Sequence, residues 1–305
     1  MKRNIRMKKK ITTAGVGIIF FIGMALVLYP MAADMWNDYR QKKLISNYEA
    51  AVEELEEKEY KEQWEKAQTF NKQMDTCSPY EDAFGICDGE MEQTEYWKIL
   101  NVSGDGIMGY LSIPKINVRL SIYHGTKDEV LQTGIGHLNG TSLPVGGEGT
   151  HCTLVAHRGL PGARLFTDLD QIEEGDRFYI HILDQTLAYE VCEILPMVDK
   201  TDREAITKAL AIREGEDLVT LYTCTPYGVN SHRLLVTGRR IPHEENGKTE
   251  NDSEKEASFF TKKYAGVYLI AGVLVLTGVA YGIRKILINK KMQKEKEQDG
   301  KGGRK

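Results

Sequence analysis

One cysteine, one histidine and one arginine in the second half of the chain carry the side chains best suited to covalent chemistry. In "LYTCTPYGVNSHRLLVTG", residues 221–238, Cys224 ends an apolar run and Arg233 follows the next turn. His157 closes the apolar stretch "CTLVA" and precedes a loop that contains glycine and proline. An imidazole can activate a thiol as a nucleophile, and a guanidinium can stabilise the oxyanion formed in acyl transfer. Each residue alone is compatible with a structural role, but the three together favour a nucleophilic site.

The segments around Cys224 and Arg233 predict two strands joined by a turn. The stretch "TPYGVNS" between them is rich in turn-forming residues. Antiparallel strands joined by such a turn lie about 4.8 Å apart, so Cys224 and Arg233 become neighbours. A positive neighbour favours the thiolate over the thiol, and the thiolate is the reactive form of cysteine.

The elements that must position these residues are mostly short strands. Apolar and polar residues alternate in "NVRLSIYHG" and "DRFYIHIL", and "TLAYEVCEIL", "DLVTLYTC" and "HRLLVTGRRI" are also typical of strands. Turn-forming stretches such as "PVGGEG" and "REGED" separate them. The pattern predicts a mainly β domain over residues 106–241, a closed or nearly closed β-barrel, with a sandwich as the alternative.

Two uncharged apolar runs, 11–29 and 264–283, are each long enough to span a bilayer as a helix. The tail before the first, residues 1–10, has six Lys or Arg and no acidic residue, and the tail 284–305 has nine basic and three acidic residues. The two apolar runs predict two transmembrane helices. The excess of positive charge in the tails places both termini in the cytoplasm and the intervening chain outside the cell. The positive-inside pattern of membrane spans explains the basic tails, so we expect no nucleic-acid partner. A cleaved signal peptide with a site near Ala33 is the alternative for the first run.

The remaining segments connect these parts. Residues 34–75 contain no Gly or Pro and repeat apolar residues at helical spacing, which predicts one long helix or two shorter ones. Residues 76–105 are typical of a loop, and the acid-rich stretch 242–263 is typical of a polar linker.

Three segments, "VAHRGLPGARLFTDLD", "LYTCTPYGVNSHRLLVTGRRI" and "GIGHLNGTSLPVGG", resemble the sortase family, in particular its class C, pilin-polymerising branch. The resemblance covers roughly residues 106–241. It implies an eight-stranded barrel at a Gram-positive cell surface that acts as a cysteine transpeptidase on LPXTG-like sorting signals and needs no metal or cofactor. Cys224 would attack the Thr–Gly bond, His157 would act as general acid and base, and Arg233 would hold the substrate and the oxyanion. The partners implied are pilin subunits, one of which supplies an acceptor lysine.

Class C sortases carry a lid with an Asp-Pro-aromatic motif upstream of the barrel, and the matching stretch here is "SPYEDAFGIC", residues 78–87. Asp82 and Phe84 fit the motif, whereas Ala83 replaces the proline. The resemblance therefore implies that Asp82 pairs with Arg233 or its surroundings and that Phe84 covers Cys224. An ordinary loop is the alternative.

The other four cysteines predict no catalytic chemistry. Cys77 and Cys87 flank the lid-like stretch, and in an oxidising exterior they could close a disulfide around it. Cys152 and Cys192 lie within predicted strands and are expected to be core thiols, with a disulfide as the alternative.

Three other functions stay open at this point. A sortase that attaches single proteins to the cell wall would share the barrel and the three residues. An exported cysteine peptidase would also use the Cys–His pair but would hydrolyse its substrate. A non-enzymatic adhesion or scaffolding module would not need Cys224.

Overall fold

The computed structural model describes residues 2–74, 83–84, 95–160 and 162–243, and the single positions 272, 278 and 284. The predicted second span 264–283 and the linker after residue 243 therefore lie outside the described residues, apart from those single positions. Cys77, Asp82 and Cys87 also lie outside them, whereas Phe84 is described.

The centre of the fold is a closed barrel of eight strands. The strand order around the barrel is β1-β2-β3-β4-β7-β8-β6-β5, and β1 closes it by pairing with β5. Two neighbouring pairs, β2–β3 and β4–β7, are parallel, and the others are antiparallel. The predicted mainly β class and the eight-stranded barrel are confirmed. The strands are β1 Ile107–Ile113, β2 Val118–His124, β3 Ile135–His137, β4 Thr150–Val155, β5 Arg177–Ile182, β6 Gln185–Asp199, β7 Asp217–Thr225 and β8 His232–Ile241.

Strands β4, β7 and β8 are buried on both faces. Because successive side chains of a strand point to opposite faces, alternate residues enter the barrel. Leu154, Leu221 and Leu234 belong to the cluster that fills the interior. The opposite face carries a second apolar group, here named the outer cluster: Ala83, Leu131, Leu138, Val155, Ile206, Ala209, Leu210, Tyr222 and Leu235.

Short helices cover parts of the barrel. Helix α3, Asp128–Leu131, precedes β3, and α4, Arg203–Leu210, connects β6 with β7. The side chain of Asp202 caps α4 by accepting a hydrogen bond from the backbone N–H of Ala205. The buried residues of α4 belong to the outer cluster. Among the residues that the structure describes, 3-10 turns lie at Glu95–Lys98, Pro114–Ile116 and Leu169–Gln171.

In the described part of the chain, two α-helices precede the barrel. Helix α1, Lys2–Glu53, joins the first apolar run and the following amphipathic segment in one continuous helix with Pro30 inside it. A helix of this length extends about 78 Å. Helix α2, Glu57–Gln73, begins at a capping box formed by Glu56 and Glu59. The predicted N-terminal helices are therefore confirmed.

Large apolar side chains of α1 are exposed between positions 18 and 29. Ile18, Phe21 and Tyr29 are among a group of exposed large residues between positions 18 and 29. Among the described residues, α1 is the one helix long and apolar enough to cross a membrane by length and composition.

The second half of α1 is fastened to the barrel by buried polar side chains. Gln41 donates to the carbonyl of Thr133 at 2.5 Å and accepts from the N–H of Ser121 at 3.0 Å. Two turns later, Tyr48 donates to the carbonyl of Met108 and accepts from the N–H of Leu183, both at 2.8 Å. The helix thereby satisfies backbone groups that would otherwise be buried without a partner.

Replacing Tyr48 with Phe should destabilise the protein, because the carbonyl of Met108 and the N–H of Leu183 lose their partner inside the packed structure. The expected loss in the free energy of unfolding is about 1–3 kcal/mol. Denaturant unfolding of the full chain in detergent measures it, with Tyr39→Phe as the matched control on an exposed face of the same helix. Equal stability of the two variants would contradict a stabilising role of the Tyr48 hydroxyl.

Candidate active site

His157 and Cys224 are brought together by the parallel pairing of β4 with β7. Val155 lies opposite Tyr222 in this pair. Beyond the end of β4, the N–H of Ala156 donates to the carbonyl of Tyr222 at 3.2 Å, and the hydroxyl of Thr223 donates to the carbonyl of Ala156 at 2.7 Å. The pairing therefore continues past β4, and the next residue, His157, follows at the level of Cys224.

Cys224 and Arg233 lie directly opposite each other in the antiparallel pair β7–β8. Opposite residues point to the same face of a sheet, with their Cβ atoms about 4.5–5.5 Å apart. Both side chains are buried, with 6% and 4% of their surface exposed. A thiol and a positive charge thus share one enclosed position on the outer face of the barrel.

The three strands stack their outward side chains in rows. Counted towards the ends of β4 and β7, the first row is polar and contains Thr153, Thr220 and Thr237. The next row is apolar and contains Val155, Tyr222 and Leu235, all in the outer cluster. The third row contains His157, Cys224 and Arg233, here named the reactive row. Its residues therefore stand on an apolar floor at the ends of β4 and β7 and the start of β8.

Phe84 lies over the reactive row. Its ring stacks on the imidazole of His157, with centroids 5.0 Å apart and planes 26° apart. The guanidinium of Arg233 lies 5.1 Å from the centroid of the same ring, within the range of a cation–π interaction. Phe84 also contacts Tyr222 at 6.0 Å between ring centroids, and the preceding Ala83 is fully buried. One aromatic ring thus contacts both the imidazole and the guanidinium.

Arg233 is oriented by the turn that precedes it. Its Nη1 donates to the carbonyl of Asn230 at 3.0 Å and to the carbonyl of His232 at 2.9 Å. Asn230 has a φ of 58°, in the left-handed region that asparagine tolerates better than most residues. Backbone carbonyls at the end of this turn therefore hold the guanidinium in its place in the reactive row.

The covered position changes the acid–base behaviour of His157. Burial lowers the pKa of its imidazole, because desolvation disfavours the charged form, and the negative charge of Asp128 opposes this in part. The neutral imidazole is consequently favoured while Phe84 lies over it.

Arg158, which the sequence did not single out, connects the loop of His157 to β7. Its Nη1 donates to the hydroxyl of Thr225 at 3.3 Å, and its Nε donates to the carbonyl of Thr167 at 3.2 Å. Its Nη2 also lies 2.5 Å from a carboxylate oxygen of Asp170. The side chain thus ties the residue after His157 to the residue after Cys224. A single arginine in a loop offers no sequence signal for such a role.

The two cysteines that were expected to be core thiols, Cys152 and Cys192, lie outside the reactive row. Cys152 is a buried free thiol in β4, and burial raises its pKa well above the ordinary value. Cys192 is a half-buried free thiol in β6 whose Sγ lies 3.5 Å from the carbonyl oxygen of Thr237. The expected contact of Asp82 with Arg233 and the expected Cys77–Cys87 disulfide concern residues outside those that the structure describes.

Comparison with known proteins identifies the family. Residues 111–241 match the family described as the sortase domain. Among curated relatives, Sortase D of Bacillus subtilis is 32% identical over 136 residues, an alignment covering 44% of this chain and 63% of that protein. Sortase SrtE2 of Streptomyces coelicolor is 29% identical over 145 residues, covering 45% of this chain and 57% of the relative. The chain thus spans about three fifths of the length of these relatives.

Solved structures of class C enzymes are more similar. Sortase C of Streptococcus pneumoniae is 44% identical with a TM-score of 0.59, and the match covers 66% of this chain and 97% of that one. Sortase C-1 of Actinomyces oris is 45% identical with a TM-score of 0.55, covering 60% and 98%. With the barrel and the reactive row, these similarities show that the chain belongs to the sortase family, in its class C branch.

Proposed function

We propose that this protein is a membrane-anchored cysteine transpeptidase that cleaves LPXTG-like sorting signals and joins pilin subunits through lysine isopeptide bonds. The observation that carries the proposal is the reactive row, in which a thiol, an imidazole and a guanidinium meet at the end of one barrel face. The similarity of the chain to class C sortases supports LPXTG-like sorting signals of pilins as the substrate class. The crystal structure of the Streptococcus pneumoniae enzyme gives insight into pilin substrate specificity, and another similar structure is Sortase C1 of GBS Pilus Island 1.

In the first half of the reaction, the proton of the Cys224 thiol passes to the neutral imidazole of His157. The thiolate then attacks the carbonyl carbon of the threonine in the sorting signal, and the Arg233 guanidinium stabilises the oxyanion. The threonine–glycine bond breaks as the imidazolium gives its proton to the leaving amine. The product is a thioester between Cys224 and threonine.

In the second half, a neutral lysine amine of another subunit attacks the thioester. Its proton passes to His157, the carbon–sulfur bond breaks, and the proton returns to the sulfur as the thiol is restored. The isopeptide bond replaces the original amide, so the exchange needs no external energy source. The enclosed, water-poor position of Cys224 favours the amine over water as the acceptor.

We further infer that Phe84 acts as a lid residue. In its present position the ring occupies the space above His157 and Arg233, where the threonine carbonyl has to enter. It also keeps the imidazole desolvated. A substrate must therefore displace Phe84 before Cys224 can react.

The membrane topology is also part of this proposal. The basic tail and apolar run of α1 support an N-terminal anchor with the barrel on the outer face of the cell membrane, and the sequence of 264–283 supports a second span. Anchored substrate and anchored enzyme then meet at a raised effective concentration.

Turnover of a peptide substrate tests the enzyme proposal. The full chain in detergent, incubated with an LPXTG-type peptide and a lysine-bearing pilin fragment, should form an isopeptide-linked product that mass spectrometry detects. Cys224→Ala should abolish the product. Arg233→Ala should reduce kcat/KM by about 100- to 1,000-fold, since removal of one oxyanion donor has effects of this size.

Cys192→Ala is the matched control, because this thiol lies in β6, away from the row, and its loss should leave turnover unchanged. Hydrolysis without an isopeptide product would favour the peptidase alternative. Turnover that persists in Cys224→Ala would refute the assignment of the nucleophile. Phe84→Ala belongs in the same series, because a lid can suppress activity in the intact enzyme.

Thiol modification tests the lid directly. In Phe84→Ala, a methanethiosulfonate reagent should modify Cys224 faster than in the wild type, because the ring over the row has gone. Peptide mass spectrometry separates the cysteines, and the half-buried Cys192 should react at an unchanged rate in both proteins. Equal rates at Cys224 would show that Phe84 does not control access.

The titration of His157 should also shift in Phe84→Ala. Because burial lowers the pKa of the imidazole, removal of the stacked ring should raise it towards the ordinary value of about 6.5. Histidine NMR signals followed against pH measure the midpoint, with His157→Gln identifying the resonance. A midpoint that stays the same or falls would mean that Phe84 does not desolvate the ring.

A further inference from the structure

The number of residues in helix α1 between its apolar run and its contact with the barrel sets the height of the active site above the membrane. Its exposed apolar run ends at Tyr29, and Ala33 follows four residues later. At about 1.5 Å per residue, Ala33 lies at most about 6 Å beyond the end of the run. A tilt of the helix or a bend at Pro30 can only reduce this height. The headgroup layer on each side of a bilayer is about 5–8 Å thick, so Ala33 lies within it.

The loop that follows His157 touches α1 at this level. A Cβ atom added to Gly162 would lie 2.8 Å from the Cβ of Ala33, closer than real Cβ atoms approach. Gly162 also has a φ of 110°, which glycine adopts without strain. The loop and the helix are therefore in direct contact, and the loop shares the height of Ala33.

The same loop contacts the turn between β7 and β8. A Cβ on Gly159 would lie 2.8 Å from the ring of Tyr227. Tyr227 is 60% exposed and Val229 is 69% exposed, although both are large apolar side chains. The turn that carries them begins two residues after Cys224 and ends before Arg233.

We propose that the mouth of the active site rests on the outer surface of the lipid bilayer, with Tyr227 and Val229 in the headgroup layer. The proposal rests on the membrane anchor proposed above. Tyrosine and tryptophan favour this layer because they combine an apolar ring with a polar group. The exposed Tyr29 and Trp36 of α1 bracket Ala33 in the chain and fit the same depth.

The opposite end of the barrel provides a matched reference. The hairpin between β5 and β6 is held to α1 by the hydrogen bond from the N–H of Leu183 to Tyr48. Tyr48 lies fifteen residues beyond Ala33, a rise of about 22 Å. The exposed Gln185 in this hairpin should therefore lie far from the lipid, while Val229 lies against it.

Depth-dependent fluorescence quenching tests the placement. The full chain, with a small fluorescent non-natural amino acid at position 229 or 185, is reconstituted in vesicles of phosphatidylcholine and phosphatidylglycerol. Lipids with a nitroxide on the headgroup should quench position 229 several-fold more than position 185. An insertion of seven helix-forming residues between Ala32 and Ala33 raises the barrel by about 10 Å on nearly the same helix face, and should remove the quenching at 229.

The outcomes separate this inference from the enzyme proposal. Vesicle flotation reports the anchor, and transpeptidation by the same vesicles is measured independently. A chain that floats with the vesicles but is quenched equally at both positions overturns the inference, as does a chain that does not float. Quenching at 229 without turnover supports the inference and counts against the enzyme proposal alone.

Discussion

The register of β4, β7 and β8 is the constraint on which the site depends. Parallel pairing continues past β4 to the level of His157, and antiparallel pairing sets Cys224 opposite Arg233. Side chains alternate across each strand, so a slip of one residue in either pair would send one member of the row into the barrel. The closed barrel removes the free edges at which such slips begin. Backbone hydrogen bonds therefore hold the reactive groups in place more than contacts among those groups do.

The two faces of this sheet have different roles. Leu154, Leu221 and Leu234 fill the interior and stabilise the barrel. The outer face carries an apolar floor that ends at the reactive row, and Phe84 lies above it. Among the described residues, the ring of Phe84 contacts side chains of the outer face, His157, Tyr222 and Arg233, so the ring can leave without disturbing the interior. Stability and access to the thiol are thus controlled by different sets of residues.

Much of this arrangement could be predicted from local patterns, because alternation and turn chemistry act over a few residues. The strands that carry Cys224 and Arg233 and the turn between them are of this kind. The parallel contact of Ala156 with Thr223 joins residues 67 positions apart and has no local signal. Phe84 came from a family motif, and the brace formed by Arg158 depends on tertiary contacts that one sequence does not show. The three-residue strand β3 is too short to display alternation.

Pro30 gives α1 a joint between its exposed apolar run and the half that docks on the barrel. Proline has no N–H, so the carbonyl of Leu26 lacks its usual helical partner and the helix bends there more easily than elsewhere. The docked half of α1 and the barrel can pivot about this residue as one body. In the anchored enzyme proposed above, such a pivot turns the reactive row towards partners in different directions while the first half of α1 stays in place.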